Sequence, residues 1–330
     1  MRYLFGFLCL CALGAVPLVG CSDTQPECET GSDCSDDNEC TNDVCDSASR
    51  TCSNTPVANG TDCTFNRVAG VCVSGVCGLN LCQGVVCEDD GNECTEDVCN
   101  FVDGTCYAPV GDGTECSEGA CLDAACTTLT TVEGVVTLYQ SYTQHGPAEN
   151  ATVRVRGTSL NTTTDSRGWF SIDVFEGDWF FESSKDGLWG WIQLAQVPYP
   201  GSALDLLLAS DTLIGQIADE LDIEIDAAKA IAVLDFNESS GQGGETATLS
   251  APYGHVSAQD ADQKEVLSDE LLPGGGSELW YYNVDPTEEL SVTPAGADGV
   301  NICELQFPEA VYPVVGKVIT FVDVLCKPTP

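Results

Sequence analysis

The second part of the chain, from residue 132 on, alternates β-branched and aromatic residues with polar ones, a pattern typical of strands with one buried face. It predicts strands at 132–138, 151–157, 169–174, 230–236, 245–250, 279–284 and 317–325. One short helix is predicted at 210–221, because Leu213, Ile214, Ile217 and Leu221 recur at helical spacing and Ser210 or Asp211 can cap it. The fold class expected is therefore mainly β.

The first twenty residues have the pattern of a secretory signal peptide. Arg2 precedes an uncharged apolar stretch from Leu4 to Val19 that is too short to span a membrane comfortably. The residues Leu18-Val19-Gly20-Cys21 resemble the bacterial lipobox, which implies cleavage before Cys21 and a lipid on its thiol. An ordinary signal peptide, with Cys21 entering a disulfide, is the alternative.

The lipobox resemblance implies a lipid-anchored tether at 21–27 and a membrane as the first partner. With Ser22 rather than Asp in the second mature position, it implies the outer membrane of the bacterial cell envelope. Two or three acyl chains would hold such a protein stably.

Charge excludes one class of function. The chain has 52 acidic and 11 basic residues and a net charge of −41, which repels phosphate backbones. Nucleic-acid binding is not expected.

Cysteine is concentrated in the first third of the chain. Of 21 cysteines, Cys9 and Cys11 leave with the signal and Cys21 is the anchor, so eighteen remain. This density indicates disulfides in an oxidising compartment, and hence export. The pairing within the first sixteen stays open, while Cys303 and Cys326 are expected to pair with each other.

Those sixteen cysteines form two tandem copies, at 28–81 and 82–126, that match in spacing and local sequence, as in 37–45 against 90–99 and 56–63 against 109–116. The copies contain Cys28, Cys34, Cys40, Cys45, Cys52, Cys63, Cys72 and Cys77, and then Cys82, Cys87, Cys94, Cys99, Cys106, Cys116, Cys121 and Cys126. They resemble the cysteine-rich repeat of slime-mould extracellular-matrix proteins, C-x-D-D-G-N-x-C-T-x-D-x-C, which implies a structural matrix or stalk module.

Metal binding is a second use for the same region. The spacings lack C-x-x-C and histidine, which argues against zinc. Acidic residues recur at matched places in both copies and could hold calcium, although the EF-hand spacing is missing. These residues are Asp36, Asp37, Asp43, Asp89, Asp90 and Asp97. Solvated turns without an ion are the alternative, and no other cofactor is expected.

A linker at 127–131 precedes the β region. Within 132–209, the elements Gly134-x-Val136, Ala151-x-Val153-x-Val155 and Thr164-Asp165-x-x-Gly168-x-Phe170-x-Ile172, and then Gly177 before aromatic residues, resemble the carboxypeptidase regulatory-like (transthyretin-like) domain. That family implies a small, non-catalytic, seven-stranded β-sandwich. Residues 210–330 are expected to form the short helix and a second β-sandwich, prealbumin-like as well.

The aromatic residues of segment 169–191 are the candidate binding feature, through Trp169, Trp179, Trp189 and Trp191. Such side chains can stack on a sugar or anchor a protein. Filling of the core is the alternative.

Catalytic motifs are missing from the sequence. His145 and His255 are the only histidines, and neither lies in H-E-x-x-H; G-x-S-x-G is absent too. The sequence therefore predicts a non-enzymatic cell-surface lipoprotein, structural or adhesive, in which a disulfide-stapled stalk presents β-sandwich modules. A glycan- or protein-binding accessory module is the alternative, and a hydrolase with an unrecognised site is a third.

Overall fold

The computed structural model describes residues 28–101, 103–237, 243–297 and 299–329. The predicted signal peptide, the anchor Cys21 and the tether up to residue 27 lie outside the described residues. In the described ranges, no helix has the length and apolar character needed to cross a bilayer. The protein is mainly β, with a disulfide-rich N-terminal region followed by β-sheet domains, as the hydrophobic pattern predicted.

The contacts divide the chain into two units. The first contains 28–88 and Asp97–Ala108, and the second contains Asp89–Glu96 and everything described from Pro109 on. The first unit holds a 3₁₀ helix and two small antiparallel sheets, β1–β2 and β3–β4–β5. Its elements are the 3₁₀ helix Gly31–Cys34, β1 Thr41–Asp46, β2 Thr51–Pro56, β3 Asp62–Phe65, β4 Val68–Val73 and β5 Val76–Leu79.

The second repeat contributes short strands, of which β8, β9 and β10 form an antiparallel sheet in the second unit. These strands are β6 Thr95–Glu96, β7 Ala108–Pro109, β8 Glu115–Cys116, β9 Gly119–Leu122 and β10 Ala125–Thr127. The next strand begins at Thr130, within the linker predicted at 127–131.

The residues up to the helix build two facing sheets. Their strands are β11 Thr130–Ser141, β12 Gln144–Pro147, β13 Thr152–Val155, β14 Asn161–Thr163, β15 Trp169–Val174, β16 Gly177–Ser184, β17 Gly190–Val197 and β18 Leu204–Ala209. In one sheet β11 pairs with β12 and β15, and in parallel with β18; in the other the order is β14–β13–β16–β17. A shared apolar core fills the space between them.

Two motifs of this region have clear structural roles. A Cβ on Gly134 would lie 2.3 Å from the ring of Phe170 and 2.4 Å from the carbonyl oxygen of Leu204, so only glycine allows these strands to approach. Gly168 has φ +79° and closes the turn in which the Asp165 carboxylate accepts hydrogen bonds from the amides of Arg167 and Trp169. The transthyretin-like domain itself stays a prediction.

The helix α1, Asp211–Leu221, follows β18 and matches the predicted element. Ser210 is its N-cap, since the Ser210 hydroxyl accepts a hydrogen bond from the amide of Leu213 at 3.1 Å. The helix turns Ile214, Ile217 and Leu221 into the core below it.

Ten strands follow the helix: β19 Ala230–Asn237, β20 Thr246–Leu249, β21 His255–Gln259, β22 Glu265–Leu267, β23 Glu278–Val284, β24 Thr287–Leu290, β25 Val292–Ala295, β26 Asn301–Leu305, β27 Tyr312–Val314 and β28 Val318–Pro328. Six of them extend the second of the two sheets, which reaches ten strands in the order β14–β13–β16–β17–β28–β19–β23–β21–β22, with β26 also on β28. β28 pairs in parallel with both β17 and β19, so one sheet continues across the predicted boundary at 209/210.

This ten-stranded sheet has an apolar core on each face. Ile231 and Val233 of β19 point into the first core, whereas Ala232 and Leu234 point into a second one on the opposite face. Both faces of β19 are therefore covered, which explains its nearly continuous apolar run. The smaller sheets β20–β25 and β24–β27 contribute Leu249, Leu290 and Val292 to the second core.

Candidate functional site

Both repeats pair their eight cysteines in the same order: first with fourth, second with fifth, third with seventh and sixth with eighth. The bridges are Cys28–Cys45, Cys34–Cys52, Cys40–Cys72 and Cys63–Cys77 in the first copy, and Cys82–Cys99, Cys87–Cys106, Cys94–Cys121 and Cys116–Cys126 in the second. Cys303 and Cys326 pair as predicted and join β26 to β28. All eighteen cysteines of the described residues are thus oxidised and hold no thiolate for zinc.

The polar residues that repeat between the copies form the same hydrogen bonds in each. Asn38 donates from Nδ2 to the carbonyl oxygen of Gly75, and Asn92 donates in the same way to that of Ala124, both at 2.9 Å. The next residue is a glutamate in both copies. Glu39 accepts a hydrogen bond from the amide of Thr64 at 2.6 Å, and Glu93 accepts one from the amide of Ser117 at 2.5 Å. These side chains therefore hold backbone segments that are distant in sequence.

The matched acidic residues also form turns. Asp36 accepts from the amide of Asn38 and the hydroxyl of Thr41, at 3.0 and 2.8 Å. Asp90 accepts from the amide of Asn92 at 2.8 Å and the hydroxyl of Thr95 at 3.2 Å. These bonds, with the hydroxyl of Thr41 first, hold the pKa of Asp36 below its ordinary value.

The six predicted calcium ligands are distributed unevenly. In the described part of the first copy, the ligand atoms of Asp36, Asp37 and Asp43 do not gather into a group that could hold an ion. In the second copy, carboxylate oxygens of Asp89 and Asp90 lie within 4.8 Å of one another, while Asp97 belongs to the other unit. Calcium binding stays a prediction.

The four tryptophans of segment 169–191 have different surroundings. Trp189 is 2% exposed and Trp191 is 4% exposed, and both belong to the first core. Trp169 is 43% exposed, and Trp179 is half-buried beside Phe175 with no partner for its Nε1 among the described residues. The structure thus brings Trp189 and Trp191 together in the core and leaves Trp169 on the surface.

One of these side chains also lines a cavity below the helix. The cavity has a volume of about 300 Å³ and lies between α1 and the ten-stranded sheet; we call it the α1 cavity. Its walls include Tyr139, Tyr142, Trp191, Glu265, Glu278 and Trp280. Tyr142 is 51% exposed, so the cavity reaches solvent on that side.

Strand register explains why these side chains converge. Glu278, Trp280 and Tyr282 alternate along β23 and share one face, which is the face that carries Trp191 on β17 and Ile319 on β28. Trp191 stacks on Phe321 with ring centroids 5.2 Å apart, and Trp280 stacks on Tyr282 at 6.5 Å.

The polar groups of the aromatic side chains are hydrogen-bonded within the wall. Trp280 donates from Nε1 to Glu278 at 2.8 Å, and Trp191 donates to Gln193 at 3.2 Å. On the opposite side, the hydroxyl of Tyr142 donates to Glu220 of α1 at 2.7 Å. These bonds fix the orientation of the rings.

The two carboxylates of the wall carry an electrostatic cost. Burial raises the pKa of Glu265, and the nearby charge of Glu220 raises it further, while a hydrogen bond from Ser257 lowers it. Burial likewise raises the pKa of Glu278, and the charge of Asp235 adds to this, while a hydrogen bond from Trp280 lowers it. Among the described residues that line the α1 cavity there is no Lys, Arg or His to neutralise them. The site therefore has negative potential in a largely apolar surrounding.

The two histidines do not line this cavity. His145 on β12 and His255 on β21 are both exposed, and the ring of His145 stacks on that of Tyr139 at 5.3 Å. No arrangement of a nucleophile with either histidine appears among the hydrogen bonds of the described residues.

Comparison with known proteins gives one relative by sequence. No protein-family model matches the sequence. The chain is 32% identical over 115 residues to protein psiQ of Dictyostelium discoideum, an alignment that covers 30% of this chain and 11% of psiQ. This similarity, with the disulfide-rich region, supports the cysteine-rich repeats. The nine disulfides of the described residues indicate an extracellular or exported protein.

Solved structures give only remote likeness. An N-terminal interface mutant of a type II cohesin–X-dockerin complex from Acetivibrio cellulolyticus is 24% identical, with a TM-score of 0.20, over 26% of this chain and 62% of that one. The Bacillus anthracis TIE protein is 11% identical, with a TM-score of 0.19, over 60% of this chain and 34% of that one. TM-scores this low carry no argument about fold or function.

Sequence reasoning missed most of the α1 cavity. Trp191 was a candidate, but Glu265, Glu278, Trp280 and Tyr142 were not, since they lie on separate segments. A signal was present in Glu278-x-Trp280-x-Tyr282, where alternation on a predicted strand places two rings and an acid on one face.

Proposed function

We propose that the chain is a non-enzymatic structural or adhesive protein of the cell surface. The observation that carries this proposal is the duplicated framework: two copies share one disulfide order and the same supporting hydrogen bonds. The residues repeated between the copies bond to their own backbone, which is the use expected of a structural spacer.

The proposal includes a lipid anchor on Cys21 and a place in the bacterial cell envelope, in the outer membrane. Support comes from the apolar segment Leu4 to Val19 and from Leu18-Val19-Gly20-Cys21 before the repeats. The repeats then form a disulfide-stapled spacer in the chain between the anchor and the β-sheet domains.

The intact mass of the unreduced protein, purified from detergent-extracted membranes, tests anchor and framework together. We expect a chain that begins at Cys21, heavier by two or three acyl groups and lighter by the eighteen hydrogens that nine disulfides remove. A Cys21→Ser variant, which lacks the acceptor thiol, should carry no acyl groups. An unacylated wild-type chain would contradict the anchor, and free thiols in residues 28–126 would contradict the framework.

The adhesive role needs a separate measurement. Beads coated with the full chain should bind to cells or extracellular matrix of the source, and binding should fall when Cys94→Ser and Cys121→Ser remove one buried bridge. Beads coated with a Cys303→Ser and Cys326→Ser variant, which leaves both repeats intact, are the matched control. Equal binding by all three proteins would contradict a role for the repeats.

A second candidate function is that of an accessory module that binds a glycan or a protein through segment 169–191. The specific observation in its favour is that Trp191, although in the core, forms part of the wall of the α1 cavity, while Trp169 is exposed. Loss of ligand capture in Trp169→Ala, with the melting temperature unchanged, would support this function. Unchanged capture in both Trp169→Ala and Trp191→Phe would exclude it.

A further inference from the structure

We propose that the α1 cavity binds a small alkylammonium cation, that is, a positively charged nitrogen with apolar substituents such as a trimethylammonium group. This binding function is additional to the structural role proposed above, and it does not depend on the lipid anchor or on the cysteine-rich repeats. Its volume of about 300 Å³ is at the lower end of those that hold small molecules.

The first argument is the aromatic wall. Several aromatic side chains line this space. Trp191 and Trp280 lie on β17 and β23 of the ten-stranded sheet, Tyr139 lies on β11, and Tyr142 lies in the turn that follows β11. The negative face of an aromatic ring attracts a cation that lies within about 6 Å of its centroid, and Trp attracts it most strongly. Several rings around one cavity are the arrangement that recognises alkylated ammonium groups.

The second argument is charge. Glu265 and Glu278 are half-buried in the wall, and no described cationic side chain of the wall faces them. Burial and then the charge of Glu220 raise the pKa of Glu265, and burial and then the charges of Asp235 and Glu265 raise the pKa of Glu278. Burying carboxylates in an apolar surrounding is costly unless a positive group accompanies them. A bound cation would supply that group.

The third argument is that several hydrogen-bond donors of the wall are already engaged. The N–H groups of Trp191 and Trp280 and the hydroxyl of Tyr142 already donate to Gln193, Glu278 and Glu220. The hydroxyl of Tyr282 is hydrogen-bonded to that of Ser257 at 3.0 Å, and Ser257 also lies 2.7 Å from Glu265. A sugar requires many hydrogen bonds, whereas a quaternary ammonium group requires none.

The net charge of the whole chain also favours the binding of a cation. A net charge of −41 raises the local concentration of cations around the protein and repels anions. This long-range term is screened by salt, while the contact with the rings is not, so the two can be separated by ionic strength.

The test is calorimetric titration of the full chain, in 0.5 M NaCl, with choline and with its uncharged isostere 3,3-dimethylbutan-1-ol; the high salt, about 4 Å of Debye length, suppresses non-specific attraction. We expect choline to bind at one site and the isostere to bind about tenfold more weakly or not at all. Glucose and calcium chloride are titrated in parallel and are expected not to bind in this cavity.

Variants that keep the net charge locate the site. Trp280→Leu should weaken choline about tenfold, whereas Trp280→Phe, which retains an aromatic face, should weaken it much less. Tyr142→Leu changes an exposed rim residue and should weaken choline without affecting folding. Trp169→Leu, outside the cavity, is the matched control and should leave affinity unchanged.

Four outcomes would overturn the proposal. They are equal binding of choline and its uncharged isostere, no binding of choline to the folded wild-type chain, unchanged affinity in both Trp280→Leu and Tyr142→Leu, and competition by glucose or calcium at the same site. None of these outcomes bears on the intact mass, so failure here leaves the anchor and the disulfide framework intact.

Discussion

Asn92 donates a hydrogen bond from its side-chain nitrogen to the carbonyl oxygen of Ala124, 32 residues away and 2.9 Å distant. The same asparagine accepts from the amide of Cys94 at 3.0 Å, so one side chain holds the buried cysteine and the end of the repeat. Asn38 forms the equivalent pair of bonds in the first copy.

We expect Asn92→Ala to destabilise the end of the second repeat by about 1 kcal/mol, because the carbonyl of Ala124 and the amide of Cys94 lose their partner. Hydrogen exchange of the β9 and β10 amides measures the change. Asn92→Asp keeps the acceptor but not the donor, so it should protect the Cys94 amide better than alanine does. Equal exchange in all three proteins would refute the role of this side chain.

The buried and exposed tryptophans should differ in their effect on stability. Trp189→Ala or Trp191→Ala should lower the free energy of unfolding by about 3–5 kcal/mol, since each removes a large side chain from the first core. Trp169→Ala should cost less than about 1 kcal/mol. Denaturant unfolding with the disulfides intact is the measurement, and similar losses at all three positions would show that the burial is wrongly assigned.

The N-cap of α1 gives a smaller, local effect. Ser210 accepts from the amide of Leu213 and donates to the carbonyl of Gln140 at 2.7 Å. Ser210→Ala should therefore lower the free energy of unfolding by about 1 kcal/mol. Ser210→Thr can form both hydrogen bonds and should lower it less. A melting series of the three proteins distinguishes these outcomes, and no difference between alanine and threonine would exclude a capping effect.

The free energy of unfolding should depend on pH through the side chain of Asp323. Burial, together with the negative charge of Asp235 and against the hydrogen bond from Asn237, raises the pKa of Asp323 to about 6. The folded state therefore binds a proton more tightly than the unfolded chain, whose Asp pKa is about 3.9, and this group's contribution to stability decreases as pH rises from about 4 through about 6.

Asp323→Asn removes that dependence while its side-chain oxygen can still accept from Asn237. As the pH falls from 7 to 4, the free energy of unfolding of the wild-type chain should rise relative to that of this variant by on the order of 2 kcal/mol. Chemical unfolding of both proteins across this range gives the difference. A constant difference would show that the Asp323 pKa is not raised.

Calcium has a defined test as well. Because Asp36 and Asp90 already accept hydrogen bonds within their own turns, we expect the full chain to melt at the same temperature in calcium and in chelator. A rise of several degrees with calcium, lost in Asp89→Asn with Asp90→Asn but kept in Asp165→Asn, would instead establish the ion site.

The sequence predicted the mainly β fold and seven strands of it, because local alternation identifies such strands, but it did not predict others, among them β17 and β18. Phe170, Ile172 and Val174 occupy one buried face of β15 as expected, and Cys303 and Cys326 meet across β26 and β28. Spacing also identified the two repeats. It could not choose the pairing within them, since pairing depends on how the segments cross in space.

The α1 cavity escaped prediction for a similar reason. Trp191 and Trp280 are far apart along the chain and line one cavity only because β28 enters the sheet between β17 and β19. No local pattern specifies a parallel contact of that kind, which depends on the whole order of strands.

β28, the strand that joins β17 to β19 in this sheet, comes late in the chain. β28 is synthesised after β17 and β19, yet it pairs with both and carries Ile319 into one core and Val322 into the other. Until it arrives, two strand edges that it will cover are open to other chains. We therefore expect a chain shortened before residue 318 to expose both edges and to aggregate rather than retain half of its structure.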